Sequence, residues 1–289
     1  MAFFLFLLNE IPISDTLKLV RDRKGEIKAL EKNQILSTSL EVARPYLLGR
    51  TIKRAVIGLS IVAVELDDGS LGSSYVLREE LDGCVAIFQD NLRMLGMDAY
   101  EMASWAVNKK HVLKRALGIA TLNSVTRRYF EQTDLLREDL QLDVFGLLKN
   151  EDTVGMVGYL GPVVKIIEEK GLTLHVFDKG HPTAGSVEEL SRLPEVLPTC
   201  SVVFLSGTSL INNTIDELLA LCTTAREIII MGSTAVGYPE AYAGTRVSVV
   251  AGTLWRQEKA KDFFDIVSLA GGIKNLRSCM QKYAYRNEK

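Results

Sequence analysis

Residues 154–178, VGMVGYLGPVVKIIEEKGLTLHVFD, decide how the chain folds. Val154 to Val157 is a short apolar run that stops at Gly158 and Gly161. Pro162 follows, with the fixed φ that suits the first turn of a helix. Val163, Ile166 and Ile167 then recur at helical spacing, while Glu168, Glu169 and Lys170 take the solvent side until Gly171 ends the helix. A second apolar run, Leu172 to Phe177, ends on Asp178. The order is strand, helix, strand. It places backbone N–H groups of a glycine-flanked turn and a helix N-terminus at the tip of the first strand, and a carboxylate at the tip of the second. The spacing G-x-x-G-x-x-G only partly meets the dinucleotide fingerprint, although Asp178 stands where a ribose-binding acid belongs.

The same device recurs twice. Val202 to Leu205 runs into Ser206, Gly207, Thr208 and Ser209, and Glu227 to Met231 runs into Gly232, Ser233 and Thr234. Each loop reads either as a tight strand-to-helix turn or as a binding loop. In a parallel sheet all three would open on one edge and converge on a polar, anion-tolerant site. None contains a Lys or Arg, so N–H dipoles and helix ends must supply the positive potential. The expected ligand-binding residues are Asn123, Gly158, Tyr159, Leu160, Asp178, Gly207, Thr208, Ser209, Asn212, Gly232, Ser233 and Thr234. No catalytic residue is assigned.

The chain has 289 residues, 47% of them hydrophobic and 24% charged, with a formal net charge of -2. That length suits two domains or one large one. The charge balance gives no reason to expect nucleic acid. Cys84, Cys200, Cys222 and Cys279 are far apart with no C-x-x-C pair, which fits a reducing, cytoplasmic setting. Phe3 to Leu8 is apolar but has no preceding basic residue, and it reads as a buried first helix or a homodimer contact. No membrane span is expected.

Ser14 is expected to cap a helix from Asp15 to Lys24, and Pro45 to break any helix crossing it. Arg54 to Leu66 reads as one strand, turned at Asp67, Asp68 and Gly69 into a second, Leu71 to Leu77. Glu65 reads as a solvent-face residue, with a carboxylate held towards a site as the alternative. Asp98 caps a helix through Val107, and a longer helix spans His111 to Phe130 with Ala116, Ala120 and Asn123 on one face. A buried Asn there either holds a loop of the neighbouring domain or reaches a ligand. The polar run Asp143 to Thr153 marks the boundary between a domain of residues 1–145 and one of residues 146–289. A helix around Val187 to Leu193, a last strand at Val247 to Val250 and a closing helix from Gln257 to Ser268 complete the chain. His175 is expected within the sheet, and His181 in a loop beside the crevice, either as an acid or base or as a plain loop residue. No metal site is expected, for want of Cys, His and carboxylates at ligand spacing.

VGMVGYLGPVV, HVFDK, VVFLSGTSLINNTIDELLAL and MGSTAVGYPEAY, in this order, resemble the family known as "putative heavy-metal chelation", formerly a domain of unknown function. VELDDGSLGSSYVLRE and GIATLNSV resemble its N-terminal part. The resemblance implies an α/β fold, an enolase-N-terminal-like α+β domain followed by a Rossmann-like parallel-sheet domain, with a site where the two meet. It also implies a role near metal chelation. Ala235 and Gly237 depart from the family pattern, which places proline and larger side chains in that loop. Two classes of function fit. In one, an enzyme binds and modifies a small organic chelator of pterin, flavin or siderophore type. In the other, a non-catalytic carrier holds a metal–chelator complex. A nucleotide- or S-adenosylmethionine-dependent enzyme is the weaker third. The cofactor is unknown.

Overall fold

The computed structural model describes residues 17–21, 27–31, 33–81, 91–133, 135, 140–180 and 187–287. The expectations for Phe3 to Leu8, Cys84 and His181 lie outside them. Among the described residues no helix is long and apolar enough to cross a membrane.

The first two strands, β1 (Leu17–Arg21) and β2 (Ile27–Glu31), pair antiparallel with Leu17 opposite Glu31. Within the helix expected from Asp15 to Lys24, the described residues Leu17–Arg21 are a strand instead, and Ser14 lies outside the described residues. Leu17 and Leu19 flank Lys18 with the two-residue period of a strand, and pairing with β2 decides between two local patterns. Helix α1 (Gln34–Leu47) then runs through Pro45, which was expected to break it. Pro45 lies in the last turn, so only one internal bond is lost before Leu48, whose N–H bonds to the Arg44 carbonyl at 3.1 Å.

An antiparallel meander follows, made of β3 (Ile52–Ile57), β4 (Ile61–Leu66) and β5 (Leu71–Tyr75) in that spatial order. The single strand expected from Arg54 to Leu66 is therefore two strands with a turn at Gly58. There the backbone presses on a later helix: a Cβ at Gly58 would lie 2.5 Å from the Val267 carbonyl oxygen. Next come α2 (Ala99–Asn108), with Asp98 Oδ1 accepting the Glu101 N–H at 2.9 Å, α3 (Val112–Ser124) and α4 (Thr126–Gln132). The helix expected from His111 to Phe130 is broken at Val125. Helix α3 is held on both sides by backbone contact. A Cβ at Gly118 would be 2.2 Å from the Ala106 nitrogen of α2, and one at Gly72 would be 2.0 Å from the Ala120 carbonyl oxygen.

The second half alternates strands and helices: β6 (Thr153–Val157), α5 (Gly161–Glu169), β7 (Thr173–Phe177), β8 (Val187–Glu188), α6 (Leu193–Val196), β9 (Val202–Ser206), α7 (Thr208–Ile211), α8 (Ile215–Leu221), β10 (Glu227–Met231), β11 (Val249–Trp255), α9 (Ala260–Ser268) and β12 (Met280–Arg286). The expected helix at Val187 begins instead as a strand, and the expected last strand is followed by β12, whose Tyr283 and Tyr285 are buried. The seven strands are ordered β12-β11-β10-β9-β6-β7-β8 and are parallel except for β12. Successive strands leave β6 in one direction and β9 in the other. The C-terminal strand ends beside that reversal form the usual ligand crevice of such sheets.

The two sheets share one body. The principal core runs from Ile35 to Tyr285 and so draws on both sides of the polar run at Asp143 to Thr153. Helix α9 returns to cover the meander, packing Phe263, Phe264 and Val267 on Ile61 and Ala63, with Trp255 stacked on Phe263 at 4.4 Å. Because α3 covers one face of the meander and α9 packs on it as well, every residue of β4 is buried.

Candidate functional site

The three strand-end loops abut one another in series. A Cβ at Gly158 would lie 2.4 Å from the Ser206 Cβ, and one at Gly207 would lie 2.4 Å from the Ala235 nitrogen. Gly158 and Gly232 have φ of +91° and +116°, a backbone region that L side chains rarely adopt, so the sharp bend after β6 and β10 needs glycine. The Gly158 N–H donates to the Phe177 carbonyl at 2.8 Å, Gly207 N–H to Met231 O at 2.8 Å and Gly232 N–H to Ala251 O at 3.0 Å. Each turn thus continues the sheet ladder by one bond.

Asp178, expected at a ribose, accepts the Tyr159 backbone N–H on Oδ2 at 2.5 Å and so fixes the loop that leads into α5. Leu160 occupies the N-cap position of that helix. Ser209 donates its hydroxyl to the Ser206 carbonyl at 2.8 Å, and Thr208 donates to the Ser206 hydroxyl at 2.9 Å. Asn212 donates to Glu80 Oε1 at 3.2 Å, and Lys179 Nζ stands 3.4 Å from the same oxygen. The segment after β5 therefore borders the strand ends.

Helix α3 and strand β5 close the other wall. Asn123, 7% exposed, donates through Nδ2 to the Ser73 carbonyl at 3.1 Å and to the Ser233 carbonyl at 3.2 Å. Two carbonyls on one side force the amide nitrogen to face them. Two turns earlier on α3, Arg115 is also buried and donates through Nη2 to the Leu210 carbonyl at 2.8 Å and to Asn33 Oδ1 at 3.3 Å. Burial lowers its pKa from the ordinary guanidinium value, yet a guanidinium stays charged at neutral pH. The loops hold no cation of their own, as their sequence says, but a buried positive charge stands behind the loop after β9.

Of the residues expected at the site, Asn123, Ser233 and Thr234 meet directly around β5, and Gly158, Tyr159 and Asp178 meet around β6 and β7. Ser73, Tyr75, Glu80 and Arg115 also border these loops and were not among the expected residues, and Ser206 was named in its loop but not as a binding residue. Ser206 ends an apolar run and was legible as a strand tip; the others join the site only through long-range packing. His175 is half-buried within the sheet, with Nδ1 2.5 Å from Glu188 Oε1 of β8. Glu65, read as a solvent-face residue, is corrected: it is 4% exposed and paired with Lys53 Nζ at 2.7 Å and Arg54 Nε at 3.6 Å on β3. Its strand is covered on both faces, a fact the alternation of a single strand does not carry.

An α/β protein with a parallel-rich sheet, a separate antiparallel meander and a loop cluster between them is the class so defined. A family model described as "Putative heavy-metal chelation" matches residues 141–286, half of the chain, and a second model with the same description matches residues 40–126. The protein belongs to this family. Two solved structures of the DUF364 family, each of unknown function, share the fold. One, from Pyrococcus horikoshii, is 24% identical with a TM-score of 0.72, over 88% of this chain and 98% of that one. The other, from Desulfitobacterium hafniense DCB-2, is 17% identical with a TM-score of 0.72, over 89% and 100%. An uncharacterised protein of Methanocaldococcus jannaschii is 30% identical over 148 residues, which are 49% of this chain and 55% of that protein. This chain thus spans about half the length of that relative.

The family's description raises the question of a heavy metal. Among the described residues no three His, Cys, Asp or Glu side chains are grouped to hold one. Of the described cysteines, Cys279 is buried in the core beside Phe263 and Val267, and the other two are held by carbonyls. Cys200 and Cys222 are fully buried, with Sγ donating to Val196 O at 3.4 Å and Leu218 O at 3.1 Å. Burial pushes their thiols up to about 11 and about 12, so both stand protonated at neutral pH. As they stand, the described side chains offer a metal ion no ready-made cluster of ligands.

Proposed function

We propose that the protein binds a small organic chelator, of pterin, flavin or siderophore type, in the crevice at the ends of β6, β9 and β10, with residues 1–145 and 146–289 as the two domains that wall it. The observation that supports this reading is the serial contact of the three loops, Gly158 on Ser206 and Gly207 on Thr234 and Ala235, with Asn123 reaching over from α3 to Ser233. The groups on offer are the partly exposed hydroxyls of Thr208 and Ser233 and the field of buried Arg115, since the N–H groups of Gly158, Tyr159, Gly207 and Gly232 are spent on the fold. These are hard, oxygen-seeking groups, suited to an oxygen-rich organic molecule rather than to a bare heavy metal. In this reading any metal is cargo, held by the chelator.

Native mass spectrometry of the purified protein identifies a copurifying small molecule. Calorimetry with pterin-6-carboxylate, with 2,3-dihydroxybenzoate and its iron(III) complex, and with zinc chloride then ranks the probes. Saturable binding of an organic probe, with none for zinc alone, is the expected result. Tight stoichiometric binding of zinc without any chelator overturns the reading. A turnover assay on the bound molecule separates carrier from enzyme.

A further inference from the structure

The geometry points to a second binding site, for the carboxylate of a small organic acid, in a cleft at the opposite end of β5 from the strand-end crevice. The cleft, about 340 Å³, is lined by Pro45, Tyr46 and Leu48 from the end of α1, by Arg50, and by Arg128 and Gln132 of α4. Its volume lies in the range of small-molecule pockets. Both arginines lean on one acid in the β4–β5 turn: Arg128 Nη1 is 2.9 Å and Arg50 Nε 3.4 Å from Asp68 Oδ2. Burial alone would raise the Asp68 carboxyl, but hydrogen bonds from Ser70 and the charges of Arg128 and Arg50 hold it below its usual value. It is therefore ionised at neutral pH. Among the described residues Asp68 is the one carboxylate paired with either guanidinium, so two positive charges face one negative.

The arginine side chains are 33% and 35% exposed, so their unused N–H groups are reachable from solvent. Nearby Arg44 is matched by Glu41 at 3.6 Å and does not compete. The planar fork of an arginine suits a carboxylate in bidentate contact, and one monoanion neutralises the single surplus charge in full. The cleft is lined mainly by polar surface, with Tyr46 and Leu48 at the edge across from the arginines. Leu48 is 53% exposed, and the Tyr46 ring is held edge-on to Tyr129 at 5.9 Å, itself anchored by its hydroxyl donating to Glu240. A small carboxylate with a flat ring suits the arginines at one end and the Tyr46 edge at the other.

Calorimetric titration of the full chain with sodium benzoate, and with inorganic phosphate in parallel, tests this. Benzoate is expected to bind saturably and more tightly than phosphate, and Arg50→Gln is expected to weaken it about tenfold or more, the loss of one charge-assisted pair. Arg50 also leans on Asp68, so a second variant avoids that pair. Gln132→Glu puts a like charge at the exposed rim, and is expected to weaken benzoate while leaving the unfolding transition unchanged. No saturable benzoate binding, a preference for phosphate, or benzoate binding indifferent to both substitutions overturns the assignment.

Discussion

The Thr234 hydroxyl accepts the Tyr75 backbone N–H at 2.9 Å. Tyr75 is the last residue of β5, the edge strand of the meander, and Thr234 sits in the loop that follows β10. One side chain thus ties the open edge of one sheet to a strand-end loop of the other. Thr234 is 2% exposed, so Thr234→Val would leave a buried N–H without an acceptor at nearly constant volume. The expected cost is about 1–3 kcal/mol in urea unfolding, with Thr234→Ser recovering most of it. An unchanged valine variant would mean that water replaces the hydroxyl.

Asn123 gives a sharper test, because the sign of its replacement can be reasoned from its neighbours. Its amide nitrogen faces two carbonyl oxygens, those of Ser73 and Ser233. Asn123→Ala removes both bonds and is expected to cost about 1–3 kcal/mol. Asn123→Asp sets an anion against the same two oxygens and should be worse than alanine at pH 7. An aspartate variant as stable as wild type would show that the amide is not held in this orientation.

Gly207 and Gly232 separate two reasons for glycine. A Cβ at Gly207 would lie 2.4 Å from the Ala235 nitrogen, whereas at Gly232 there is open space but a φ of +116°. Gly207→Ala must push one strand-end loop off the next and is expected to cost more than Gly232→Ala, whose strain is on the order of 1–3 kcal/mol. Thermal unfolding of the two variants orders them. If Gly207→Ala were the milder, the loops would not be in the contact described.

Much of the fold was legible because local demands agreed. Val154 to Val157, Gly158, Pro162 and Gly171 each suit their place in the β6–α5–β7 unit, and Gly158 and Gly171 do take positive φ. The two missed strands at the ends of the chain were less so: Leu17 to Arg21 and Met280 to Arg286 are defined by their partners across the sheet. At the candidate site the bends could be read, but not what approaches them. Gly207 is glycine because Ala235 is there, and a sequence does not distinguish a neighbouring backbone from a ligand. Asn123 stood out as an amide on a face of small residues, yet its acceptors lie 50 and 110 residues away.

Asp152 governs part of the acid limb. It is 4% exposed, and burial alone would raise its carboxyl, but the Lys149 N–H at 2.7 Å, the Ser201 hydroxyl at 2.7 Å and Arg226 at 2.5 Å hold it below the ordinary 3.8. A depressed folded-state pKa means that the unfolded chain takes up the proton first. Its stabilisation is therefore present above about pH 3.8 and is lost as pH falls through the lower folded value. Asp152→Asn is expected to lower stability at pH 7 by about 1–3 kcal/mol and to flatten the loss below pH 4, read from urea midpoints across pH. Equal slopes for the two proteins would remove Asp152 from the acid transition.

The cysteines titrate with the opposite sign. Burial raises Cys200 to about 11 and Cys222 to about 12 from the ordinary 9.0, so folding keeps both thiols protonated. Their contribution is fully present below pH 9.0 and is lost as pH rises towards those folded values. The alkaline limb alone cannot isolate them, because burial also raises Tyr129, Tyr238 and Tyr283. Maleimide labelling followed by peptide mapping resolves each thiol. At pH 8 in the folded protein both are expected to stay unmodified for as long as the chain stays folded, and to react promptly in urea. Prompt labelling of either would expose a thiolate, and would return the cysteines to consideration as direct ligands of a heavy metal in place of a chelator that carries it.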